Sequence, residues 1–191
     1  MNIVEKENIE QTFKGLEACQ QQFRGLIWED CHFEKCDFSE SSFHNCRFLD
    51  CQFNNCNLAN INPTNSSFRN CTFNNSKIIG VNWSSIANHP TFTFTECLLN
   101  YAVFTGLNLP KSSFENCKMV EADFSESNLQ HASFQSSNLD NTNFNNADLR
   151  HADFQNATNY TINPLFTKIA HAKFSLPEAM SLLSTFNIKL S

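Results

Sequence analysis

The chain has 191 residues, 41% of them apolar, and a formal net charge of −6, so it can bury one sizeable core and is too acidic to grip a phosphate backbone directly. No apolar run approaches the roughly 18 residues of a membrane span, and Met1 to Glu7 hold no signal-like apolar stretch, so a cytoplasmic protein that neither crosses a membrane nor binds nucleic acid is expected. Phenylalanine dominates, with 20 Phe against 2 Tyr and 2 Trp, which points to one environment repeated many times.

After an N-terminal cap over 1–12, a large residue returns at every fifth position: Phe13, Ala18, Phe23, Trp28, Phe33, Phe38, Phe43, Phe48, Phe53, Leu58, Pro63, Phe68, Phe73, Ile78 and Trp83. The same step resumes at Phe94 and runs through Leu99, Phe104, Leu109, Phe114, Met119, Phe124, Leu129, Phe134, Leu139, Phe144 and Leu149 to Phe154. All but Ala18 and Pro63 are large and apolar. A step of five suits neither regular element, since it rotates around a helix and alternates faces on a strand, so the chain must turn once per repeat. The residue two positions earlier is small in most repeats, as at Cys31, Cys36, Ser41, Cys46, Ser112, Ala122 and Ala152, and it also points inward. Asn, Ser, Asp, Gln and Glu fill the remaining positions, as residues that bond local backbone at corners do.

Four such corners close a square coil, and every fourth repeat then falls in one column. The first column reads Phe13, Phe33, Phe53, Phe73. One residue is inserted between Trp83 and Phe94, and across it the column continues as Phe94, Phe114, Phe134, Phe154. The second column is mostly aliphatic, the third mostly aromatic, and the fourth changes from Trp28, Phe48 and Phe68 to Leu109, Leu129 and Leu149. This sorting predicts an all-β, four-sided solenoid over 13–158 with about seven coils, on the order of 34 Å long at the strand spacing of a sheet.

Two irregularities interrupt the array. Pro63 occupies a central position, and the stretch 84–93 carries the register break; each is either a tolerated defect or an outward loop, and His89, Pro90 and Phe92 are candidate contacts of the second. After Phe154 the period fails, leaving 159–191 as a C-terminal cap. Ser175-Leu176-Pro177-Glu178 reads as a capping box that opens a short helix, whose stripe Ala179, Leu182, Leu183 and Phe186 covers the open end and offers a dimer contact. Ile188 and Leu190 then alternate as a strand does.

Eight of the nine cysteines sit in the small inward position at spacings unlike metal sites, which makes them core fillers, with Cys19 outside that register. No nucleophile has a buried base beside it, and no glycine-rich phosphate loop is present, so neither catalysis nor a cofactor or metal is expected. Lys111, His131 and His151 share an outward column that reads as a solvated cationic ridge. Asp30 and Asp50 begin that same column. Asp37, Glu40 and Glu121 lie with Glu17 and Asp140 on the second face, interrupted by Lys77 and Lys118. These five acids, Asp30, Asp50, Asp37, Glu40 and Glu121, are the candidate partner contacts.

The repeats Cys-Asp-Phe-Ser-Glu (36–40), Ala-Asp-Phe-Ser-Glu (122–126) and Ala-Asp-Leu-Arg-His (147–151) resemble the consensus of the pentapeptide-repeat family. That resemblance implies a right-handed quadrilateral β-helix. Within the family, the length, the central break and the tail are similar to the Qnr quinolone-resistance proteins and to microcin-immunity proteins. The resemblance implies a homodimer joined at its C-terminal ends, a rod that mimics DNA, engages DNA gyrase or topoisomerase IV and protects it from poisons. A second reading, from a different class, is a scaffold that binds another protein through one face or through the 84–93 segment.

Overall fold

Each five-residue unit forms one side of a square coil because its residues divide the work of turning. A computed structural model describes residues 5–87 and 90–186 and shows parallel ladders between successive coils, about eight turns in all. The second residue after each core position turns the corner in the left-handed region, with φ of +50° at Asp30, +56° at Asn55, +55° at Glu121 and +63° at His151. Asn and Asp recur there because their short polar side chains tolerate that conformation. Gly80 has a further reason, since a Cβ at this corner would collide with the side-chain oxygen of Asn60.

The small inward position is a donor as well as a filler. Hydroxyls of Ser41, Ser66, Ser137 and Thr142 donate to the carbonyls of Ala18, Phe43, Phe114 and Met119, at 2.6, 2.8, 2.7 and 2.7 Å. The thiols of Cys36, Cys51 and Cys97 point the same way, at 3.2–3.4 Å from the carbonyls of Phe13, Trp28 and Phe73. A side chain two positions before one core residue thereby satisfies the buried carbonyl of a core residue in the preceding coil. Cys, Ser and Thr can therefore fill this inward position although each buries a polar hydrogen.

The first-column rings stack in one unbroken pile from Phe13 to Phe174, at centroid distances of 4.7–5.4 Å. The pile crosses the register break without a fault, because Cys71–Asn74 pairs with Phe92–Thr95 and places Phe73 opposite Phe94. Rings of neighbouring columns meet edge to face, as Phe114 and Phe124 do at 5.2 Å and 84°, which is the favoured arrangement of aromatic quadrupoles. The ladder reaches beyond 13–158 at both ends: Glu7–Ile9 pairs with Ile27–Glu29, and Lys173–Phe174 pairs with Asp153–Phe154.

Pro63 stays within the ladder, and the described residues on both sides of the register break pack inward. Pro63 is buried, and its unit keeps the ladder through the Asn62 amide, which donates to Ser41 at 2.8 Å. Proline offers no N–H to the next coil, and the Asn82 carbonyl there accepts the Ser85 hydroxyl at 2.9 Å. In the second stretch Trp83–Ser85 forms a single 3-10 turn, and Phe92 turns inward against Trp83 at 4.8 Å and Phe94 at 5.2 Å. There it also lies near the rings of Phe68 at 6.4 Å and Phe73 at 6.1 Å.

At the C-terminal end the expected helix is present as a 3-10 segment, Glu178–Phe186. The amide of Ala179 donates to Ser175 at 3.0 Å, and Leu182 packs on the core. The expectation for Ile188 and Leu190 lies outside the described residues.

Candidate partner-binding surface

With every large repeat residue turned inward, recognition falls to the outward columns. Asp30 and Asp50 occupy one corner, exposed and one coil apart, with Glu10 preceding them and Asn70 following. The Asn70 amide donates to Asp50 at 2.9 Å, and neither aspartate has an ion pair among the described residues. Glu10 was missed by the sequence reading, although it lies one coil before Asp30. Further along the same edge the charge reverses, through Lys111, His131, His151 and a further histidine, His171. The three imidazoles stack at 4.7 and 5.0 Å.

The second-face acids do not converge. Asp37 is half-buried and serves its own turn, accepting from the Ser39 hydroxyl at 2.6 Å, the Ser39 amide at 2.8 Å and Asn57 at 3.2 Å. Burial pushes its pKa up, but these donors outweigh burial and hold the carboxyl below its ordinary value. Glu40 stands on the outer corner and accepts from Gln20 at 2.8 Å. Glu121 shares that corner four coils away, beyond Asn60, Gly80 and Tyr101. Between the two lies an apolar patch that periodicity alone did not reveal. Leu98 is 42% exposed and Tyr101 53%, with Lys77 and Lys118 on either side of Leu98 in the same ladder. Tyr101 also holds φ of +61°, unusual for a bulky residue, on a corner otherwise given to polar residues and glycine.

The central stretch offers less surface than its composition suggests. Phe92 is fully buried against Trp83 and Phe94 and Pro90 is buried too, so neither can serve as an exposed contact. His89 lies outside the described residues. At the C-terminal end Ala179, Leu182 and Leu183 are half-buried. Phe186 is exposed there along with Leu165, Phe166, Leu176 and Met180, an apolar end surface broader than the predicted stripe.

Among the described residues, no group of three or more His, Cys, Asp or Glu side chains is arranged to hold a metal ion, and no helix is long and apolar enough to cross a membrane. Burial pushes the Cys51 thiol up to about 12 and the Cys71 thiol well above its ordinary value, which suits fillers and not nucleophiles. Cys19 is the exposed cysteine.

The family model for the pentapeptide repeat region matches residues 26–104 and 107–180. No curated protein sequence matches the chain. Among solved structures the chain is similar to trypsin-treated QnrB1, a plasmid-mediated fluoroquinolone resistance protein, at 17% identity and a TM-score of 0.63, covering 97% of this chain and 100% of that one. It is also similar to HetL, a pentapeptide repeat protein involved in heterocyst differentiation regulation from the cyanobacterium Nostoc sp. strain PCC 7120. There the identity is 13% and the TM-score 0.55, covering 88% of this chain and 86% of that one. Likenesses at these identities establish a shared fold.

Proposed function

The chain belongs to the pentapeptide-repeat family, and from that premise we propose that it works without catalysis, as an acid-edged rod that occupies a DNA-binding surface of gyrase or topoisomerase IV. The observation that carries this reading is the edge of Glu10, Asp30 and Asp50, three carboxylates on successive coils of a stiff ladder. Coils repeat at roughly the 4.8 Å strand spacing, so about eight of them make a rod on the order of 38 Å long. Carboxylates held at fixed intervals on such a rod can take the place of phosphates in a basic saddle, with no folding cost on binding. The exposed apolar end around Phe166, Leu176 and Phe186 supports a homodimer joined there, which doubles the rod.

A supercoiling assay tests the reading. Added protein should restore gyrase activity in the presence of a quinolone, and replacing Asp30 and Asp50 with Lys should abolish the rescue. No effect on either enzyme at micromolar concentration would reject it. The Leu98 and Tyr101 patch favours the second reading, a scaffold for another protein, because tyrosine is enriched at protein interfaces and among the residues that anchor them. Substituting Tyr101 by Ser should leave the topoisomerase effect intact if that patch serves a different partner.

A further inference from the structure

The net charge of −6 conceals a polarised edge. Its N-terminal half is acidic, and its C-terminal half is a column of cations and potential cations that mimicry of DNA does not use. His131, His151 and His171 are exposed at the corner of successive coils, with φ of +60°, +63° and +62°. Their rings lie face to face, at interplanar angles of 4° and 14°. The imidazole edges of successive coils therefore follow one another along the rod axis. Lys111 extends the column by one coil toward the N-terminus.

The flanking faces supply the other charged groups. On the preceding face stand Asp148, Arg150 and Lys168; on the following face stand Asp153 and Lys173. Both carboxylates already hold cations. Arg150 binds Asp148 with two hydrogen bonds of 2.9 and 2.7 Å, and Lys173 binds Asp153 at 3.2 Å. Lys111 and Lys168 have no ion pair among the described residues. Glu115 is the other acid of the following face, in the coil of Lys111 and outside the coils of the three histidines, so a proton added to the column meets no free acid on the flanking faces of its own coils, and each charged ring repels the next.

We propose that this edge is a proton-gated binding site for a chain of phosphates lying along the rod axis. A phosphate between neighbouring rings removes their repulsion and accepts from both, so the bound state favours the imidazolium form. The sign follows from linkage. The ligand raises the histidine pKa values, so affinity is greatest below the pKa of the free rings and is lost as pH rises through the pKa of the bound ones. His151 is already held below its ordinary value, first by burial and then by His131, His171 and Arg150, so a counter-charge laid along the column would favour its charged form. The parallel rings aim their in-plane lone pairs along parallel lines and not at one point, which suits a polyanion better than a metal ion.

The test uses the full chain with inorganic polyphosphate and, separately, single-stranded DNA, by anisotropy or calorimetry in the presence of a chelator, at about pH 5.5 and about pH 7.5. Each proton taken up on binding gives up to about tenfold per pH unit, so affinity at the lower pH should be at least about tenfold higher. Changing His131, His151 and His171 together to Asn should remove that gain. Asparagine takes the equivalent left-handed turn position on other edges, at Asn116, Asn141 and Asn156, so the coil is preserved, and a circular dichroism melt verifies it. Lys111→Gln should weaken binding at both pH values and leave their ratio unchanged. Binding of one probe alone supports the site and identifies the source of the phosphates. Absent binding at the lower pH, equal affinity at both, or a gain that persists in the triple variant would overturn it.

Discussion

Replacing Phe114 by Ala is the most direct way to ask whether the stacked rings hold the coils in register. Phe114 is fully buried and touches four rings. It stacks on Phe94 at 5.4 Å and Phe134 at 5.1 Å, and meets Phe104 at 5.6 Å and Phe124 at 5.2 Å edge-on. Truncating a buried Phe costs about 3–5 kcal/mol, depending on how far the surroundings relax. Here they relax little, because the ladder bonds of Phe114 to Ser133 at 2.8 Å and Lys118 to Cys97 at 2.9 Å fix the coil spacing. We therefore expect about 4–5 kcal/mol, a melting point lower by about 8–20 °C for a chain of this size. Phe174, at the end of the pile, is half-buried and meets two rings, stacking on Phe154 at 5.1 Å and lying tilted against Tyr160 at 5.6 Å. Its replacement by Ala should cost about 2 kcal/mol. Urea unfolding followed by circular dichroism measures both. A cost for Phe114→Ala below about 2 kcal/mol, or no greater than that for Phe174→Ala, would refute the argument.

Other expectations follow from single features. Thiol titration of the native protein should find only Cys19 reactive, since the other eight cysteines are buried; a second fast thiol would mean that the coils open. The carboxyl of Asp37 sits below its ordinary value, so its charge contributes stability above the unfolded pKa of about 3.9 and loses it as pH falls through the lower folded value. The stability gap between the native protein and Asp37→Asn should thus narrow between pH 7 and about pH 3, and melts that show a constant gap would contradict this. Phe166→Glu and Leu183→Glu should each yield monomers in light scattering at micromolar concentration, unless the unmodified protein is itself monomeric, which would dismiss the end-to-end dimer.

The period of five, the four columns and the single inserted residue were all legible in the sequence, because a core residue at every fifth position leaves a pattern that spacing alone recovers. What stayed hidden depends on where individual side chains turn. Phe92 lies two residues before Phe94, the position usually given to Cys, Ser or Ala, and its ring nonetheless packs among Phe68, Phe73, Trp83 and Phe94. Asp37 resembles any exposed acid until its bonds to Ser39 show that it serves the corner. Glu10 and His171 lie one coil step beyond the period, because the large-residue pattern begins at Phe13 and fails after Phe154 while the ladder runs on at both ends. Tyr101 carried no signal, since an outward aromatic has no period to announce it.

The central claim is that a carboxylate-edged rod takes the place of DNA on a type II topoisomerase. Its most direct test is the affinity of the labelled full-length protein for purified gyrase over a range of salt, with duplex DNA as competitor. The account expects micromolar or tighter binding that weakens steeply as salt rises, is displaced by DNA, and is lost when Asp30 and Asp50 become Lys. Binding that ignores both salt and DNA, or no binding at micromolar concentration, would contradict it.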